Sequence, residues 1–124
     1  MPISPGEPAL RDSSAGMIAA NGLLLLHQIL LGQGDNSVFL SEALRIARDT
    51  VNLSLAHPQA VFKRTGNALV VEDGPIEGRF DAILRNATAC RNEDSLRQYW
   101  DHGLVYADYY FLEFGNKLIR MGLL

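Results

Sequence analysis

The order of apolar and polar positions divides the chain into three helical stretches and one irregular stretch. Residues 11–31, RDSSAGMIAANGLLLLHQILL, open on short polar side chains and pass through Ala15, Gly16, Ala19, Ala20 and Gly22. They end in Leu23, Leu24, Leu25, Leu26, Ile29, Leu30 and Leu31. Asp12, Ser13 and Ser14 predict a helix start, because a short side-chain oxygen accepts from the free N–H groups of a first turn. Gly32 and Gly34 predict its end. The helix, expected over 13–31, is apolar on nearly every face, the pattern of a helix buried on all sides. Its small residues allow close approach of a neighbour.

The second stretch is one-sided. Leu40, Ala43, Leu44, Ala47, Val51 and Leu55 recur at helical spacing, while Glu42, Arg45, Arg48, Asp49 and Asn52 fall mainly on the other face. This predicts an amphipathic helix over 37–56, capped by Asn36 or Ser37 and stopped by His57-Pro58. The short link makes the two helices an antiparallel hairpin, an inner helix paired with an outer one. A last helix is expected over 108–121, with Asp108 as its cap, Lys117 and Arg120 in its final turn and Gly122 as its stop.

The intervening residues 58–107 read as mostly irregular. Residues 61–64 and 68–71 predict short strands around Gly66-Asn67, and Glu72-Asp73-Gly74-Pro75 predicts a turn. Residues 80–87 predict a short helix, and 91–97 a polar loop. Residues 1–10, with Pro2, Pro5, Gly6 and Pro8, read as an extended lead-in. A connection this long inside a compact domain is functional or disordered, and its aromatic and apolar content favours function.

Composition narrows the function. The 124 residues, 48% hydrophobic and 20% charged, suit one globular domain. A net charge of −3 without a basic block argues against nucleic acid as a partner. Asn21, His27 and Gln28 interrupt the apolar run short of the roughly 20 residues a bilayer needs, so no membrane partner is expected. The N-terminus does not read as a secretory signal. Cys90 is the only cysteine, so it forms no internal disulfide and no cysteine zinc site. Sequons stand at Asn52 and Asn86. No metal-ligand spacing, glycine-rich phosphate loop or nucleophile elbow is present, so no cofactor is expected.

Two clusters carry candidate chemistry. Asp12, Ser13 and Ser14 form either a plain capping cluster or a helix end that meets an anion. Trp100, Tyr106 and Tyr109 either stack on a sugar ring or anchor a loop over the helices. His102 stands beside Asp101, a pairing seen in acid–base chemistry, though neighbours in sequence need not face each other.

Three stretches together resemble the unsaturated glucuronyl hydrolases. RDSSAGMIAANGLL is similar to their segment in which Asp, then Ser or Thr, then Ser and Ala open a helix rich in Ala and Gly. DHGLVYADYYFLEFGNKLIRMGL is similar to their C-terminal segment, and FDAILRNATACRN to a loop of the fungal members. The matches occur in the family's order. Tyr106 and Ala107 stand where bacterial members tend to have Trp and Gly. The related unsaturated rhamnogalacturonyl hydrolases share the layout.

The resemblance implies an all-α fold, the C-terminal part of an (α/α) six-hairpin barrel, with residues 1–124 a partial domain. It implies a partner, an oligosaccharide ending in a 4,5-unsaturated uronic acid, and hydration of its double bond without a metal or other cofactor. The two catalytic aspartates of the family have no match here, so the chain itself is expected to be inactive. What the resemblance assigns to it is a substrate-binding wall: Asp12, Ser13, Ser14, His102, Tyr106, Asp108 and Tyr109. Self-association through exposed apolar surface is expected when the neighbours of the first helix are missing. The alternative is a non-catalytic helical module that binds carbohydrate or another protein.

Overall fold

A computed structural model of the chain describes residues 10–57, 60–74 and 80–124. Most of the expected lead-in, together with Pro58 and Pro75, lies outside these. The elements in order are helix α1 (Ser13–Gly32), helix α2 (Phe39–Ser54), strands β1 (Val61–Thr65) and β2 (Ala68–Glu72), and helix α3 (Val105–Arg120). The fold is therefore three helices with a two-stranded antiparallel hairpin, which adds β-structure to the expected all-α architecture.

Helix α1 packs against both other helices. Its start faces the end of α2, since a Cβ on Gly16 would touch Ile46 and Thr50 at 3.6 Å. The pair is thus the expected antiparallel hairpin. Asn21 fixes α3 on the other side. Its amide nitrogen donates to the carbonyls of Met17, at 2.9 Å, and Tyr110, at 2.8 Å, while its oxygen accepts from Lys117 Nζ at 3.1 Å. These bonds offset the cost of desolvating the buried amide and fix how α3 sits.

The expectation that α1 is buried on all sides is not met. Its buried residues, Ser13, Ser14, Met17, Ala20, Asn21, Leu24 and His27, form one stripe. Ile18, Leu25, Leu26, Ile29 and Leu31 lie on the outside, each between 44% and 55% exposed. By length and composition α1 is apolar enough to cross a bilayer, yet its polar buried residues lie against protein. The core consists of Met17, Ala20, Leu24 and Ala43 from the hairpin, Ala107, Phe114 and Leu118 from α3, and Leu84 and Ala87 from the loop between.

Helix ends follow local chemistry. At α1 and α3 the chain turns out through Gly34 (φ 81°) and Gly122 (φ 70°). In each case the next residue's N–H reaches back to a carbonyl five residues earlier: Asp35 to Leu30 and Leu123 to Leu118, both at 2.9 Å. This left-handed stop favours glycine. Helix α2 ends at Ser54, two residues before the expected limit. Leu55 leaves in extended geometry and bridges Leu84, with Ala56 N–H on Ile83 O at 2.8 Å and Arg85 N–H on Ser54 O at 2.7 Å. The same pairing explains why the short helix expected over 80–87 does not form: those backbone groups are committed across the chain.

The two strands pair around Gly66-Asn67, as expected, with Phe62 opposite Val71 and Lys63 opposite Val70. Gly66 takes φ 63°, the position where a tight hairpin turn calls for glycine. Every residue of both strands is exposed.

Candidate functional site

Of the expected site residues, Asp12, Ser13, Ser14, His102, Tyr106 and Asp108 lie where the loop 80–104 crosses the starts of α1 and α3, whereas Tyr109 lines a groove further along α3 with Leu112, Glu113, Asn116, Lys117 and Arg120. Thr88 is the meeting point. Its N–H donates to Asp12 Oδ1 at 3.4 Å, and its carbonyl accepts from Tyr106 Oη at 3.2 Å. One residue is thereby held by the first turns of two helices, which start at the same rim.

Asp12 is the N-cap of α1. Oδ1 accepts from Ser14 N–H at 3.1 Å, Ala15 N–H at 3.2 Å, Ser14 Oγ and Thr88 N–H. All of these bonds go to one oxygen, so the carboxylate is fixed in direction and Oδ2 has no partner among the described residues. Ser13 and Ser14 are buried. The Ser13 hydroxyl donates to Arg85 O at 2.7 Å and its N–H to Asn86 O at 2.9 Å. Both serine hydroxyls are therefore engaged inside the chain, that of Ser13 tying the loop to the helix and that of Ser14 bonding the Asp12 cap.

Asp108 does not cap α3. The helix begins at Val105, with Leu104 as its N-cap and no side-chain capping bond. Asp108 lies in the first turn, where a negative charge suits the helix dipole. Its two oxygens accept from Ile83 N–H and Leu84 N–H, each at 2.9 Å. It is the clamp that holds the loop strand 83–85 against α3.

Three features shape the rest of the rim. Ala87 bridges His102, and Cys90 bridges Tyr99, so the loop doubles back as a narrow ribbon. Asn86 and Asp101, the residues before the first bridge pair, both adopt left-handed backbone at φ 60° and 58°. Asparagine and aspartate tolerate that geometry best after glycine. Their side chains join, Asn86 Nδ2 to Asp101 Oδ1 at 2.7 Å, and Asn86 Oδ1 accepts from Ser54 Oγ at 3.0 Å. Asn86 thus ties α1, α2 and the ribbon together, a role its sequon reading did not contain. Gly103 is the third feature. A Cβ there would lie 2.5 Å from Ala82 Cβ and 3.1 Å from Phe80, so the ribbon closes only on a glycine.

His102 does not face Asp101 as a catalytic pair would. Its Nδ1 bonds Gly103 O at 2.7 Å, Tyr99 meets its ring edge-on at 5.8 Å, and its Nε2 is buried without a partner among the described residues. From the ribbon and the start of α3, the exposed aromatics are Tyr99, Trp100, Tyr106 and Tyr109, between 37% and 58% exposed. Arg91 stacks over Trp100 at 5.8 Å, and Tyr109 lies edge-on to Tyr110 at 5.2 Å. Near this ribbon the Cys90 thiol is held below its ordinary value, chiefly by a hydrogen bond with Ser95 and then by one with the Asn92 backbone. A concavity of about 800 Å³ in the polar loop is lined by Arg91, Asn92, Glu93, Asp94 and Ser95 and contains none of the expected site residues. No group of three or more His, Cys, Asp or Glu able to hold a metal occurs among the described residues.

No protein-family model, curated protein or solved structure matches the chain.

Proposed function

We propose that this chain is the C-terminal wall of an unsaturated uronyl hydrolase site, able to bind the sugar and unable to hydrate it alone. The observation that carries the reading is the junction at Thr88. The first of the three stretches that resemble the family is far in sequence from the other two, and residues of all three meet there: Asp12 from the first, Thr88 from the second and Tyr106 from the third. Two further observations support it. Helices α1 and α3 start at one rim with α2 antiparallel outside, as an inner and outer ring would have them. Both α1 and α3 also keep apolar residues on the outside, where further hairpins of a barrel would cover them.

On this reading the sugar meets Asp12 Oδ2, the Tyr106 and Tyr109 rings and the exposed face of Trp100. Ser13, Ser14, His102 and Asp108 hold that surface in place. Hydration of the unsaturated uronide requires an acid that protonates C4 and a water that adds at C5. The resulting hemiketal opens and the glycosidic bond is lost. Asp108 has both oxygens occupied by backbone N–H groups, and Asp12 is fixed as a cap, so neither is presented as that acid. Binding without a positioned acid and water does not accelerate the chemical step. The alternative, a self-standing carbohydrate-binding module, draws on the same exposed aromatics.

The test is to incubate the purified chain with an unsaturated disaccharide and follow the ultraviolet absorbance of the conjugated double bond. The expected result is no loss of absorbance. Steady loss, abolished by Asp12→Asn in a folded chain, would overturn the assignment of Asp12 to the wall.

A further inference from the structure

The hairpin of β1 and β2 has one apolar face and one paired face. Opposed residues of antiparallel strands share a face. Phe62, Arg64, Leu69 and Val71 therefore lie on one side. Val61, Lys63, Thr65, Ala68, Val70 and Glu72 lie on the other, crossed by an ion pair from Lys63 Nζ to Glu72 Oε2 at 3.0 Å. Both strands are exposed throughout. A two-stranded hairpin is marginal in water; further strands and a shared apolar face are what stabilise it. Among the described residues no third strand pairs with it.

The register shows which edge is open. Gly66 and Asn67 form a two-residue turn, so the closing pair Thr65–Ala68 is hydrogen-bonded. Bonded and non-bonded pairs alternate from there. Lys63–Val70 and Val61–Glu72 bond inside the hairpin. The backbone N–H and C=O groups of Phe62 and Arg64 point away from it at the β1 edge, and those of Leu69 and Val71 at the β2 edge. Charge guards β1, where Lys63 and Arg64 stand in mid-strand. Strand β2 runs Ala68, Leu69, Val70 and Val71 without a charge before Glu72.

We propose that β2 pairs antiparallel with β2 of a second copy of this chain. The two-fold axis that overlaps the whole strand passes Val70. It sets Val70 against Val70 of the second copy, Leu69 against its Val71 and Ala68 against its Glu72. The outward backbone groups of Leu69 and Val71 then bond each other on both sides of the axis, and no like charges are opposed. The same axis through β1 passes Lys63 and sets two ammonium groups face to face, which opposes pairing. Pairing β1 with β2 of the next copy leaves an edge open at every step and runs on as a filament. Pairing through β2 closes on itself. It gathers Phe62, Leu69 and Val71 of both copies on one face and leaves only the charged β1 edges outside.

This inference stands on the hairpin alone and not on the sugar reading.

Sedimentation velocity of the full chain over a concentration series tests it, and a monomer–dimer equilibrium is expected. Val71→Pro is the first variant. The Val71 N–H serves no bond within the hairpin, so proline fits there, but the outward donor is lost. Val70→Lys is the second, because it sets like charges opposite each other across the axis. Each should weaken association at least about tenfold, with helix content by circular dichroism retained. Leu25→Glu, on the exposed side of α1, should leave association unchanged. For register, cysteines are placed in a Cys90→Ser chain and oxidised. Val70→Cys should crosslink to its own copy, since an opposed non-bonded pair lies within disulfide reach, and Leu69→Cys, offset from its copy, should not. A chain that stays monomeric would overturn the proposal. So would association that Leu25→Glu abolishes and both hairpin variants leave intact, or crosslinking through Leu69→Cys and not Val70→Cys.

Discussion

Asp12 and Asp108 both lie at helix starts and do different work. Asp12 gathers its donors on one oxygen and leaves the other without a partner among the described residues. Asp108 spends one oxygen on each of two successive loop N–H groups. Hydrogen bonds to a charged acceptor contribute more than neutral ones, and losing the acceptor leaves the donors desolvated. Asp108→Ala should therefore destabilise the chain by about 2–4 kcal/mol, read by urea unfolding. The loss should be accompanied by exchange of the Ile83 and Leu84 amides. Unchanged stability, with those amides still protected, would show that the loop is held by other contacts.

At the scale of elements, the two sides of α1 differ in energy although they look alike in sequence. Leu24 is fully buried and its neighbour Leu25 is 55% exposed. Leu24→Ala should cost about 2–5 kcal/mol, through lost burial and the cavity left behind. Leu25→Ala should stay within about 0.5 kcal/mol. Equal costs, measured by the same unfolding experiment, would contradict the one-sided packing. This is where reading from sequence reached its limit. The starts and glycine stops of α1, the face of α2 and the Gly66-Asn67 hairpin were legible, because each depends on local chemistry. Which face of an uncharged helix is covered depends on neighbours, and the row of leucines does not name them. The loop was misread for the same reason. Leu84 and Ala87 look helical in isolation, but their backbone groups pair with Leu55 and His102, distant in the chain. Asp108 reads as a cap because it precedes an apolar run; the acceptor it supplies to Ile83 and Leu84 has no sequence signal. Thr88 and Asn86, which bond Asp12, Tyr106, Ser54 and Asp101, were not among the residues that the resemblance singled out.

At the scale of the whole molecule, a rim of fixed polar groups stands at one end of two helices that keep apolar faces outward. The ribbon 83–103 is fastened to all three helices: by Ser13 to α1, by Ser54 to α2 and by Asp108 to α3. A surface fastened this way can present Asp12 Oδ2, Tyr106 and Tyr109 without ordering them anew, which lowers the cost of binding. The central claim is that this rim is the sugar-binding surface. The most direct measurement is a titration of the isotopically labelled chain with an unsaturated uronyl disaccharide, followed by amide chemical shifts. The account predicts saturable shifts concentrated at Asp12, Thr88, His102, Tyr106 and Tyr109, strongly reduced by Tyr106→Ala in a folded chain. Shifts confined to 91–95, or none at all, would contradict it.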